Sequence, residues 1–259
     1  MTPEPALICS RAAPGVLLLR LNRPERRNAL ATPLLEAIAQ ALIVADADPS
    51  VRVAVITGGD KIFAAGADLD ELASAGADDP IESPRFQAWA TIRSFEKPLL
   101  AAVEGWCLGA GAELMMCCDI VVAGETARFG QPETNLGVIP GAGGGATLAR
   151  LVGRALAMRM VLTGEPIDAA EARSAGLVAD VVATGAAQEA ALGLASRLAQ
   201  RAPLALREAK ASVRQALASF EPEHLTAERQ RFVALLDTQD KAEGIAAFKA
   251  KREPVWRGV

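Results

Sequence analysis

The chain has 259 residues, 51 % hydrophobic and 22 % charged, which suits one large domain with a sizeable core and argues against disorder. A net charge of −4, 4 % aromatic residues and no tyrosine disfavour nucleic acid as a partner, because phosphate grip and stacking platforms are both scarce. No charge-free apolar run reaches the roughly 18 residues a bilayer span needs, and "MTPEPALICSRAAPG" lacks the pattern of an export signal, so a cytoplasmic protein is expected.

In chain order, "GVLLLRLNRP" reads as a buried strand ended by a turn. "TPLLEAIAQALIVADADP" reads as a helix with Thr32 as N-cap and Pro33 in its first turn; Leu35, Ile38, Leu42 and Ala45 repeat at helical spacing. "VRVAVITGG" is a strand apolar on both faces. "SPRFQAWATIRSFEKP" reads as a helix, "LLAAVEG" as a strand, a helix follows from about 110, and "DIVVAG" is a further strand. Strands alternating with helices imply an α/β layered core. From about 186 helical periodicity takes over. Leu206, Ala209, Val213, Leu217 and Phe220 form one stripe and Leu225, Phe232 and Leu236 another, with Pro203 and Pro222 as breaks. Such a tail docks on its own core or on another subunit.

The single histidine, His224, rules out a multi-histidine metal site and leaves few ways to build a Ser-His-Asp site. The four cysteines, Cys9, Cys107, Cys117 and Cys118, show no CxxC pair and read as small buried hydrophobes. Acid–base chemistry therefore falls to carboxylates, lysines or backbone.

Three glycine-rich stretches stand out: "FAAGAD" (63–68), "LGAGAE" (108–113) and "IPGAGGG" (139–145). The middle one lacks the third glycine of a dinucleotide fingerprint, and no GxxxxGK[ST] occurs. Each follows a strand-like run and leads towards a helix. Small residues there let a ligand approach the backbone, and two N–H groups from two turns can hold one oxygen. Ordinary tight turns explain the same glycines. Glu113, between small residues and an apolar run, is costly to bury unless compensated; it serves either a structural ion pair or catalysis. Its place near a helix start favours a carboxylate. Glu133, in "FGQPETNLGVIPG", is either a loop cap or a second acid.

With these residues on the page the sequence resembles the crotonase family, the enoyl-CoA hydratases and isomerases. The resemblance runs from "LNRPERRNAL" and "FAAGADLDEL" through "KPLLAAVEGWCLGAGAELMMCCDIVVAGETARFGQPETNLGVIPGAGG" and "LTGEPIDAAEARSAGLV" to "EGIAAFKAKREPVW". It implies repeated strand-strand-helix units in a spiral over residues 1–200, and a C-terminal helical oligomerisation region over 201–259. Glu113 and Glu133 fall on the two hydratase acids. The N–H groups of Ala67 and Ala110 fall on the oxyanion hole, and Gly141 where backbone lines the catalytic water. Ala29, Ala65, Asp68 and Leu69 fall on the adenine recess of coenzyme A. Phe248 and Lys251 match tail positions that reach coenzyme A, often across a subunit contact.

The resemblance implies a homotrimer, commonly paired into a hexamer, and no cofactor beyond the coenzyme A carried by the substrate. Two acids favour hydration of a 2-enoyl-CoA over Δ3,Δ2 isomerisation or a non-catalytic acyl-CoA- or RNA-binding role. "GAGAEL" and "APLAL" are similar to dehydroadipyl-CoA hydratases of aromatic-acid degradation. Glu104 stands where the family usually has Asn. Glu25 and Asp70 stand where many members are basic, which leaves Arg23, Arg26 or Lys251 for the coenzyme A phosphates.

Overall fold

The computed structural model describes residues 4–76, 83–201, 203–217, 232–233, 235–252 and 254–255. β1 (Leu7–Ala13) and β2 (Val16–Leu21) form an antiparallel hairpin that turns at Gly15, where φ is 77°. Pro24–Arg26 forms a short 3-10 turn, and Arg27 and Asn28 follow in the left-handed region. The buried Asn28 side chain fixes this bend. Its Oδ1 accepts from Arg23 N at 2.9 Å, and its Nδ2 donates to Phe63 O at 3.1 Å.

α1 (Thr32–Ala47) leads to β3 (Val53–Thr57) and β4 (Ile62–Ala64), then α2 (Leu69–Ser74) and α3 (Pro84–Ser94). β5 (Leu99–Val103), β6 (Trp106–Leu108) and α4 (Ala110–Met116) repeat the pattern. β7 (Ile120–Gly124) and β8 (Arg128–Gly130) begin it a third time, followed by a 3-10 turn at Glu133–Leu136 and the long α5 (Gly144–Thr163). β9 (Ile167–Asp168), α6 (Ala169–Ser174), β10 (Asp180–Val182), α7 (Ala187–Ala199), α8 (Pro203–Leu217) and α9 (Gln239–Ala250) complete the described elements.

Each repeat gives one strand to each of two sheets. The larger has the order β1-β2-β3-β5-β7-β10, parallel from β2 onward; the smaller has the order β4-β6-β8-β9, with β9 antiparallel. The chain thus winds strand-strand-helix in a spiral. Every residue of β3 and of β5 is buried, as the apolar run predicts for a sheet covered on both faces. One face packs on α1, α3 and α4 through Leu35, Ile38, Trp89, Ile92 and Leu114. The other packs on α7, where Ala187, Ala191 and Ala195 form a stripe against Val53, Val55 and Leu100. Alanine at that spacing lets the helix backbone lie close to the sheet.

Some expectations shift. The N-cap of α1 is Ala31, and Thr32 is its first helical residue. Glu71 takes over the capping: its Oε2 accepts from both Thr32 N and Thr32 Oγ1 at 2.9 Å. Cys9 is exposed rather than buried, because β1 is an edge strand whose residues 8–12 are exposed on both faces. "IPGAGGG" follows the Glu133–Leu136 3-10 turn, not a strand.

The tail divides between two roles. On α8, Leu206 is half-buried while Ala209 and Val213 are exposed, so that stripe does not pack on the chain's own core. Lys210 and Arg214 tie the helix to Asp119 at 2.6 and 3.2 Å. α9 instead packs inward: Leu236 and Ile245 join Leu72 and Val138 in a separate apolar cluster, with Phe232 against it. Two glycines allow the approach of α9 to the Glu133–Leu136 turn. A Cβ on Gly244 would lie 2.6 Å from Leu136 C, and one on Gly137 2.7 Å from Asp240 C. The Leu217 side chain, Phe220, Pro222, His224 and Leu225 lie outside what the structure describes. Among the described residues no helix is long and apolar enough to cross a membrane.

Candidate active site

A cavity of about 1550 Å³ opens beside the small sheet, bounded by the α2–α3 region, the Glu133–Leu136 turn and α9. The turns that follow β4 and β6 reach it together. Gly66 (φ 123°) precedes Ala67, and Gly109 (φ 51°) precedes Ala110. A positive-φ glycine thus sets the direction of each alanine N–H. The two turns touch, since a Cβ on Gly109 would lie 3.5 Å from Gly66 Cα. Neither alanine N–H donates to a backbone carbonyl in the turns and caps. Ala110 is the first residue of α4, where an N–H has no intrahelical acceptor. Both alanines line the cavity.

Glu113 lies one turn into α4 and is 4 % exposed. Its compensation comes from another helix than its own. Oε1 accepts from Ala142 N at 2.7 Å and Gly144 N at 2.8 Å, at the start of α5. The carboxylate therefore caps α5, with the partial positive charge of that helix end behind it. Burial pushes the Glu113 carboxyl above its ordinary value; the Ala142 N–H, Arg93, the Gly144 N–H and Arg85 pull back the other way. Gly144 must be glycine, because a Cβ there would stand 2.9 Å from Glu113 Oε1.

Glu133 opens the 3-10 turn after Pro132, and its Oε1 sits 3.0 Å from where a Gly109 Cβ would be. The second acid thus stands over the Gly109–Ala110 turn. Gln131, 1 % exposed, packs beside Glu133. With its amide nitrogen turned to the acceptors it donates to both Glu133 oxygens at 3.1 and 3.2 Å. The same amide lies 2.9 Å from the point beside Gly144 that is 2.9 Å from Glu113 Oε1. Glu113 and Glu133 both line the cavity. Sequence reading missed Gln131; its only signal was a polar residue in "RFGQPE", directly after a strand.

Ala29, Ala65, Asp68, Leu69, Gly141 and Phe248 also line the cavity. Asp68 caps α2 by accepting from Asp70 N at 3.1 Å and pairs with Arg23 at 3.1 Å. Arg23 Nη1 also donates to Ala29 O at 2.7 Å, so Arg23 is committed to holding this corner and is absent from the lining. Asp70 sits between two cations, Lys249 at 2.7 Å and Arg26 at 3.1 Å. The Lys249 hydrogen bond and charge, then Arg26, hold its carboxyl below the ordinary value. Lys251 terminates α9 in the left-handed region and is not part of the cavity wall; Lys249, two residues earlier, is. Glu104 does not line the cavity. Its Oε1 accepts from Gly185 N at 2.9 Å and Ala187 N at 3.0 Å, capping α7.

No cluster of three or more potential metal ligands occurs among the described residues. A strand-strand-helix spiral with a deep cavity at its glycine turns is the crotonase architecture. A profile of the enoyl-CoA hydratase/isomerase family matches residues 11–259. The chain belongs to that family. It is 50 % identical over 252 residues to a 2,3-dehydroadipyl-CoA hydratase of Escherichia coli (strain K12), covering 97 % of this chain and 98 % of the relative. It is 42 % identical over 236 residues to a mitochondrial enoyl-CoA hydratase of Pongo abelii, covering 91 % and 81 %. An enoyl-CoA hydratase/isomerase from Pseudoalteromonas atlantica T6c superposes with a TM-score of 0.89 at 31 % identity, covering 98 % of this chain and all of that one.

Proposed function

We propose that Glu113 and Glu133 are the acid–base pair, and the N–H groups of Ala67 and Ala110 the oxyanion hole, with which this enoyl-CoA hydratase adds water across the 2,3 double bond of a 2-enoyl-CoA. The observation that carries the assignment is that two carboxylates line one cavity beside two abutting Gly–Ala turns, Glu133 standing over the Gly109–Ala110 turn. The thioester oxygen accepts from the two N–H groups, which stabilise the negative charge it gains as water attacks C3. One carboxylate takes a proton from the water and the other delivers one to C2, giving a 3-hydroxyacyl-CoA. Glu113 Oε1 is held by the start of α5, which leaves Oε2 for the water. Gly141 keeps the wall beside that water free of a side chain. No cofactor enters these steps, and coenzyme A arrives as part of the substrate.

Ala29, Ala65, Asp68 and Leu69 form the adenine recess, with Phe248 at the rim and Arg26 and Lys249 among the cations on the same cavity wall. Lys251, outside the wall of its own subunit, serves a neighbour's coenzyme A in a homotrimer or a hexamer of paired trimers. The exposed Leu204 and Val213 of α8 support the oligomeric reading, with 201–259 as the assembly region. The protein acts in the cytoplasm. The 2,3-dehydroadipyl-CoA hydratase among its relatives supports a 2-enoyl dicarboxylic substrate from aromatic-acid breakdown. Loss of conjugated-thioester absorbance across a panel of 2-enoyl-CoAs tests the function. Rapid isomerisation of a 3-enoyl-CoA with negligible hydration overturns it.

A further inference from the structure

α3 turns one stripe, Arg85, Trp89 and Arg93, towards the cavity side of the core at positions four residues apart. Arg85 and Trp89 line the cavity, and the Arg93 guanidinium stacks 5.7 Å from the Trp89 ring centre. The stripe holds more donors than the protein satisfies. Arg85 Nη1 donates to Leu30 O at 2.9 Å and lies 3.6 Å from Glu71 Oε2. Among the described residues Arg85 Nη2 and Nε have no acceptor. Trp89 Nε1 and Arg93 Nη1 are buried and likewise have no acceptor there.

Nearby carboxylates do not fill this need. Glu71 has turned both oxygens to Thr32, at 2.9 Å. Glu113 spends Oε1 on the start of α5. Burial lowers the Arg85 guanidinium from its ordinary value, with Glu71, Glu113 and Asp68 opposing that fall. It remains a cation. A half-buried guanidinium with one edge unused is matched by a carboxylate, which takes two parallel N–H bonds. Its position is also restricted. Leu30, whose carbonyl anchors Arg85, is the residue bridged to Ala67. The guanidinium therefore stands within a short acyl chain of the proposed oxyanion hole.

Resting on the hydratase reading above, we infer that Arg85, with the Trp89 indole N–H beside it, selects 2-enoyl thioesters whose acyl chain ends in a carboxylate. A methyl end would leave the guanidinium edge buried and unpaired, which disfavours that substrate.

The test compares two six-carbon 2-enoyl-CoAs, one ending in carboxylate and one in methyl, on wild type, Arg85→Gln and Arg85→Lys. The wild type is expected to favour the carboxylate by about a hundredfold in kcat/KM, and Arg85→Gln to cut that ratio at least about thirtyfold. Arg85→Lys keeps the charge but not the fork, so an intermediate ratio is expected. Calorimetric titration of wild type with the two saturated six-carbon analogues reads the same preference as a Kd ratio without turnover. A wild-type preference for the methyl end, or a ratio unmoved by Arg85→Gln, overturns the assignment. If neither thioester is hydrated, the hydratase reading fails, and the Kd ratio still decides whether this pocket selects an anion.

Discussion

Glu104 and Glu113, nine residues apart, use the same electrostatic device in two regions of the molecule. Each is at most 8 % exposed, and each offers one oxygen to two backbone N–H groups at the start of a later helix, α7 for Glu104 and α5 for Glu113. The second oxygens separate them. Glu104 Oε2 is buried with no hydrogen-bond partner among the described residues, against Gly124, where a Cβ would come 2.1 Å from it. Glu113 belongs to the wall of the cavity, which a second acid, Glu133, also lines. A buried carboxylate at a helix start is thus not a catalytic signature in itself. In the proposed function, what its remaining oxygen faces decides whether it only holds a helix in place or also handles a proton.

The sharpest way to break this contrast is to remove each charge. Glu113→Gln and Glu133→Gln are each expected to slow hydration at least about a hundredfold, the usual scale of general acid–base contributions, with circular dichroism unchanged. Full activity in either variant removes that residue from the chemistry. Glu104→Ala should act on stability instead, lowering Tm by several degrees for a loss of about 2 kcal/mol. Its kcat/KM per folded molecule should stay within about twofold of wild type. A kinetic loss on the Glu113 scale would erase the distinction.

A pH series sharpens the contrast further. Burial raises the Glu113 carboxyl in the folded state. Its contribution to stability is therefore present below the unfolded carboxyl pKa and lost as pH rises through the raised value. Glu113→Gln should match wild type in Tm near about pH 4 and exceed it near about pH 8, in a protein that has lost turnover. A gap that narrows as pH rises would mean that the helix-start N–H groups outweigh desolvation. The smallest effect belongs to the exposed mouth. Asp70→Asn frees Lys249 and Arg26 and should change KM by less than about threefold, a change that added salt removes.

The long elements were legible because period and length agreed: β5 is apolar throughout and β3 apolar up to its last residue, Thr57, and α1 repeats at helical spacing. β4, β6 and β8, at three residues each, are too short to show a period, so the second sheet had no local signature and came only through the family resemblance. Glu113 was conspicuous as a charge in an apolar run. Glu133 was not, because a 3-10 turn between proline and glycine looks like any loop. Arg85 carries no signal of its own within "SPRFQAWATIRSFEKP", since the cavity beside it is built from residues distant in sequence. Helix starts that compensate an acid thirty or eighty residues upstream are equally invisible to local reading.

The paired glycines Gly137 and Gly244 carry a consequence for biosynthesis. The turn that bears Glu133 is backed by α9, the last of the described helices, at a distance only two absent side chains permit. During translation the sheets, α4 and both acids emerge well before residue 239. A nascent chain can therefore assemble its spiral with a cavity still open on one side, and the wall closes when α9 leaves the ribosome. The wall behind Glu133 is thus built from residues made some hundred positions after it.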